Sequence, residues 1–321
     1  MTVLLGDGRG GFKAAEGSPI KIGSSARKVA LGDVNRDGRL DAFVAEHNSY
    51  FLTVLLGDGR GGFSSAPGSP IKSLDGTRAH THEIVLGDVN LDGNLDMLST
   101  NVNDSKVSVL MGNGNGGFAP SPASPVRTSR GPYDALVLRD FDGDRTPDLA
   151  MPNIHGNKID VMRGDGKGGF AHVAGSPFAV RERPIYAGAA DVNNDGKPDL
   201  LATHDDVGLL TVLLNDGKGS FSPAASPLQT SQVGLGFDAA DLNNDGNVDL
   251  AMGVMGRGNP FILFGDGKGG FREGETLKLP GENRPEYAVL ADLNRDRIPD
   301  IVISNYRPGS VSVLLGRRRG R

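Results

Sequence analysis

The sequence repeats itself six times, and this constrains the fold more than any other feature. A nine-residue string rich in Asp and Asn begins at Asp33 as DVNRDGRLD and returns at Asp88, Asp140, Asp191, Asp241 and Asp292, at intervals of 50–55 residues. A second string, GDGRGGF and its variants, ends at Phe12, Phe63, Phe118, Phe170, Phe221 and Phe271. Alternating runs such as TVLLG at 2–6 and 53–57 precede it, and the fullest copies of that run are VSVLMG at 107–112 and VSVLLG at 311–316. One period of about 51 residues therefore reads strand, Asp-rich loop, strand, variable loop, strand, Gly-rich turn, strand. No stretch of a dozen residues shows helical periodicity. The pattern predicts an all-β chain, a β-propeller of four-stranded antiparallel blades with six Asp-loop blades, forming a single domain over 1–321. A parallel β-helix, whose turns are much shorter, does not fit the period.

Composition agrees. Glycine supplies 48 of 321 residues without a three-residue period, which excludes collagen, and 37% hydrophobic residues are enough for a core. No apolar run reaches the ~18 residues of a membrane-spanning helix. Cysteine is absent, so disulfides hold nothing together. The net charge of −5 disfavours nucleic acid as a partner, and RRRGR at 317–321 is the sole basic block.

The ends pose a closure problem. The chain opens with third- and fourth-strand segments and stops after another third strand. The expectation is that GGFKAAEG at 10–17 completes the last blade and removes open sheet edges. The alternative is a fragment of a seven-bladed ring.

The strings GDVNRDGRLDAFVA (32–45), ADVNNDGKPDLLAT (190–203) and ADLNNDGNVDLAMG (240–253) resemble VCBS/FG-GAP repeats, as in integrin α-subunit propellers and certain fungal lectins. The resemblance covers essentially the whole chain. It implies a propeller fold, an extracellular or cell-surface setting and a binding rather than a catalytic role, although some relatives are enzymes. MTVLLGDGRGGF at the start has neither the basic nor the long apolar region of a secretion signal.

The Asp-rich loop carries oxygen side chains at positions 1, 3, 5 and 9, the alternation with which a loop wraps a hard cation such as Ca²⁺. The expected ligands of up to six calcium ions follow, with position 7 contributing its carbonyl. They are Asp33, Asn35, Asp37, Arg39 and Asp41; Asp88, Asn90, Asp92, Asn94 and Asp96; Asp140, Asp142, Asp144, Thr146 and Asp148. The later three loops give Asp191, Asn193, Asp195, Lys197 and Asp199; Asp241, Asn243, Asp245, Asn247 and Asp249; Asp292, Asn294, Asp296, Ile298 and Asp300. An EF-hand needs Glu at position 12, where these copies place Val44, Ser99, Met151, Ala202, Met252 or Ile303. The competing reading is that Asp and Asn merely make Asx turns. Against it, the six loops hold 19 of 39 acidic residues, and carboxylates so packed repel one another without a cation. Position 6 is Gly38, Gly93, Gly196 or Gly246 in four loops, a sign of positive φ, but Arg145 and Arg297 in the third and sixth. The sixth is expected to bind most weakly.

In the resembling family the Asp loop joins the first two strands, so the loops joining strands two and three lie at the opposite end of each blade. In this chain those loops vary: EHNSYF, NVNDSK, NIHGNK, HDDVGL, MGRGNP and NYRPGS. All five Tyr and five of six His fall there or just before a first strand. His47, Tyr50, His204 and Tyr306 are the expected contacts to a glycan or protein ligand of a monomeric module. Tyr133, Tyr186 and Tyr287 are as well explained by packing. An enzyme, for example a polysaccharide lyase, is the alternative function. Its acid–base candidates are His204 with Asp205 and Asp206, and His80 and His82 with Glu83. His80 and His82 alternate, so they could also share a face and hold a transition metal.

Overall fold

The computed structural model describes residues 1–23, 25–73, 78–224, 227–279, 284–307 and 309–317. Among these there is no helix, and the protein is a six-bladed β-propeller of antiparallel sheets. The chain divides into two compact units, Met1–Leu5 with Lys13–Ala179, and Gly6–Phe12 with Val180–Arg321. Most of the basic block at 317–321 lies outside the described residues.

In the first unit one sheet runs Ala26–Gly32, Asp41–Glu46, Phe51–Gly57, Phe63–Ser65, each strand antiparallel to the next. A second follows through Ile84–Gly87, Asp96–Asn101, Lys106–Gly112 and Phe118–Pro120, and a third through Val137–Arg139, Asp148–Asn153, Lys158–Gly164 and Phe170–His172. The second unit holds Pro184–Ala190 to Phe221–Pro223, Gly234–Ala240 to Phe271–Thr276, and a three-stranded sheet Pro285–Ala291, Asp300–Asn305, Ser310–Leu314. Second strands are buried almost throughout, which is why DAFVA, DLAMP and DLLAT read as continuous apolar runs after their Asp. The cores follow: Phe43, Leu52, Val54 and Met97 pack together in the first unit, and Phe237, Leu250, Phe261 and Leu263 in the second.

Four sheets gain a short fifth strand, such as Ile71–Lys72, which pairs back onto the third strand. In three of these sheets a serine steers the reversal: the hydroxyls of Ser69, Ser124 and Ser176 accept the backbone N–H of Val54, Val109 and Val161, and Ser18 accepts Val3 N–H in the same way beside the first hairpin.

The expected closure is corrected. Phe12–Ala14 pairs with Leu4–Gly6, as a separate two-stranded sheet, and among the described residues the last sheet has three strands. The local turn explains it. The Asp7 carboxylate accepts the N–H groups of Arg9 and Gly11, and Asp7 N–H donates to the Gly11 carbonyl, so this hairpin closes on itself like its five relatives.

Candidate functional site

Five of the six Asp loops are built on the same hydrogen-bond scheme, and the third differs in that Asp140 accepts the N–H groups of Gly143 and Arg145. In the first, Asp33 accepts the N–H groups of Asp37 (3.1 Å) and Gly38 (2.8 Å), Asn35 Oδ1 accepts Asp37 N–H, and Asp37 Oδ1 accepts Arg39 N–H. Asp41 is fully buried, and its two oxygens accept Val34 N–H at 3.0 Å and Gly57 N–H at 2.8 Å. Asp96, Asp148, Asp199, Asp249 and Asp300 repeat this double bond, tying the start of the second strand to the end of the third. Gly57 is required because a Cβ there would collide with the Leu40 carbonyl. Position 9 is thus a structural clasp as well as a candidate ligand. The loops do contain Asx turns, yet each carboxylate oxygen has a second lone pair to offer.

Position 6 has positive φ in every copy, from Gly38 (80°) to Arg145 (70°) and Arg297 (65°). Position 4 does too, at Arg36, Leu91, Asn194, Asn244 and Arg295, a requirement the sequence hides because only the third copy, Gly143, has glycine there.

The donor set fits a hard cation. In the third loop, carboxylate oxygens of Asp140, Asp142 and Asp148 lie within 4.8 Å of one another. Burial, with repulsion from Asp142 and Asp144 added, pushes Asp148 up to about 6. Burial likewise raises Asp96, Asp199 and Asp249, each beside two carboxylates of its own loop. The third loop also carries a cation of its own. Arg163 Nε is 2.9 Å from Asp142 and its terminal nitrogen 2.6 Å from Asp144. Sequence spacing gave no hint of this contact, because Arg163 belongs to the third strand.

At the other end of the sheets the expected ligand contacts separate. Tyr306 is 62% exposed, with the Arg284 guanidinium 5.0 Å from its ring centre. Tyr50 is partly exposed, and its hydroxyl lies 3.5 Å from Asp104 Oδ2. His204 is corrected. It is fully buried, with Nδ1 2.8 Å from the Glu182 carbonyl and Nε2 2.9 Å from Thr211 Oγ1, and it offers nothing to a ligand. Its position, the last of a second strand, is buried equally at Asn101, Asn153 and Asn305, so aligning the repeats could have revealed it. Asp205 is held by Arg183 rather than by His204. Tyr186 packs edge-on against Phe237 and Tyr287, as the packing reading expects.

His47 joins His80 and His82 in one cluster. His82 Nε2 is 2.6 Å from His80 Nε2 and 3.1 Å from His47 Nε2. Its Nδ1 lies 2.6 Å from Asp134, which is also gripped by Arg27 at 2.9 Å. Burial and the neighbouring imidazoles lower His80 to about 4, and burial with His82 lowers His47 as well. Asp134 and Arg27 went unrecognised in the sequence, being 52 and 55 residues from His82. Glu83 faces Lys28 at 2.9 Å rather than either histidine.

With this geometry in view, comparison with known proteins places the chain. The FG-GAP-like repeat model matches residues 33–99, 88–151, 140–202, 191–252 and 241–303, and the chain belongs to that family. No curated sequence relative matches. Among solved structures it is similar to an Agrocybe aegerita lectin described as recognising non-reducing terminal N-acetylglucosamine, with a TM-score of 0.63, 18% identity, and 98% of this chain and 87% of that one covered. A protein from Lactobacillus plantarum gives a TM-score of 0.64 at 14% identity over 98% of this chain and 96% of that one. Virginiamycin B lyase from Staphylococcus aureus gives 0.52 at 12% identity, over 90% and 85%. These likenesses establish the fold.

Proposed function

We propose that the chain is a non-catalytic interaction module, extracellular or at a cell surface, that binds a glycan or protein through the strand two-to-three loops and is stabilised by calcium in its Asp loops. One observation carries the reading. Six copies hold the Asp loop and strands nearly constant, while the loops at the opposite end keep their length but change chemistry, the division of labour of a scaffold that displays binding residues. Tyr306 supports it, since an exposed ring beside a guanidinium offers an apolar face with a charged neighbour. The lectin among the structural neighbours is consistent with a glycan as ligand.

Calcium would be held by side chains at positions 1, 3, 5 and 9 and the carbonyl at 7. Bound there, it would offset the carboxylate repulsion that adds to burial in raising Asp148 and Asp96. The test is a glycan array, terminal N-acetylglucosamine included, probed with the wild type, Tyr306→Ala and Tyr50→Ala in calcium. Loss of a signal by roughly tenfold or more, with melting temperature nearly unchanged, is expected for at least one variant. Equal binding by all three proteins, or binding lost only as stability falls, would reject the assignment of these loops.

A further inference from the structure

The histidine cluster has a property that neither the repeat family nor the proposed ligand loops require. We propose that His47, His80 and His82 form a three-imidazole site for a divalent transition metal of the zinc class, with Asp134 orienting His82. Zinc sites that bind ligands use three protein donors and leave one position open.

The arrangement follows from three segments of the first unit. His47 comes just after the strand Asp41–Glu46, His80 and His82 just before Ile84–Gly87, and Asp134 just before Val137–Arg139. Backbone bonds fix them: Thr81 N–H donates to the His47 carbonyl at 3.0 Å, and His82 N–H to Thr100 Oγ1 at 3.2 Å. The Tyr133 ring, 4.2 Å from that of His82, limits its rotation.

Proton placement is decided by Asp134. An ionised carboxylate can only accept, so the proton between it and His82 sits on Nδ1. Arg27 already compensates Asp134 and lies 3.4 Å from His82 Nδ1. His82 Nε2 is then a bare lone pair aimed at two other Nε2 atoms. One neighbour can donate a hydrogen bond to it, and the remaining pair of nitrogens is left facing without a shared proton. A cation between the three resolves this. A carboxylate behind a ligating histidine is the usual means of fixing its tautomer and strengthening it as a donor. Tetrahedral ligation at about 2.0–2.1 Å from the metal puts ring nitrogens about 3.3–3.4 Å apart, so the pairs seen here at 2.6 and 3.1 Å would open by about 0.7 and about 0.3 Å. Imidazole donors select against calcium, so this site and the Asp loops take different ions.

The experiment is calorimetric titration of ZnCl₂ into the untagged, chelator-stripped full chain in saturating calcium, with Co²⁺ absorption as a second readout. One equivalent of zinc and a tetrahedral Co²⁺ spectrum are expected. His80→Ala should weaken binding at least roughly 100-fold, and Asp134→Asn about 10–100-fold while retaining the stoichiometry. Because the buried His82 could be needed for folding, the half-exposed His47→Gln serves as the second ligand variant, and it too should lose the Co²⁺ spectrum. No zinc uptake by the wild type, or uptake undiminished in His80→Ala and His47→Gln, would overturn the proposal.

Discussion

Position 9 of the Asp loop can be separated from position 1 by paired substitutions in the second repeat. Asp96 is fully buried, its oxygens accepting Val89 N–H at 2.9 Å and Gly112 N–H at 2.8 Å. Asp96→Ala strands both donors, at about 1–3 kcal/mol each. Burial raises the pKa of Asp96, so holding it as an anion is itself costly and removing it gives part of this back. A net loss of about 3 kcal/mol follows, or roughly 6–12 °C of melting temperature for a unit of this size. Asp88 differs. Its oxygens accept Asp92 N–H at 3.1 Å and Gly93 N–H at 2.8 Å within an exposed loop that water can satisfy, so Asp88→Ala should cost less than about 1 kcal/mol in chelator. In calcium both variants should lose the gain the second loop contributes. Thermal melts of wild type and both variants, in EDTA and in calcium, provide the comparison. Equal shifts for the two variants in EDTA, or Asp96→Ala melting within a degree of wild type, would refute the clasp.

Three further outcomes are expected. Arg297→Gly should tighten the weakest calcium site and raise the melting temperature, because a non-Gly residue at φ 65° costs on the order of 1 kcal/mol and the new residue removes a cation; unchanged affinity in a calcium titration would count against it. Arg163→Ala should strengthen calcium binding by the third loop by about 1 kcal/mol, roughly fivefold, and a weaker site would mean that Arg163 supports the loop rather than competing for it. Asp148 has a folded pKa of about 6 against an ordinary 3.8, so its ionisation destabilises the fold above pH 6 and that penalty fades as the pH falls. In chelator, wild type should therefore gain about 2 kcal/mol relative to Asp148→Asn between pH 7.5 and 4.5, by urea unfolding, and calcium should remove the trend.

Strands and Asp loops were readable because each recurs at a fixed period, so six weak local signals reinforce one another. Gly38 and its three counterparts disclosed positive φ at position 6, and Arg145 and Arg297 adopt it without glycine. Position 4 was silent, since Leu91 or Arg36 in that conformation leaves no mark in the residue type. The separate hairpin at Leu4–Ala14 escaped a reading based on closing sheet edges, because the Asp7 turn favours local pairing. His204 looked accessible among polar neighbours, whereas the strand end it occupies is buried. The histidine cluster was half legible. Alternation placed His80 with His82, but His47 and Asp134 come from adjoining repeats, and only the packing of sheets brings them in.

Calorimetric titration of calcium into chelator-stripped protein tests the central claim, that the Asp loops are cation sites on a binding scaffold. The account predicts uptake of several ions in at least two affinity classes, with the sixth loop weakest and the melting temperature rising as the sites fill. No heat of binding, together with a melting temperature indifferent to EDTA, would contradict it.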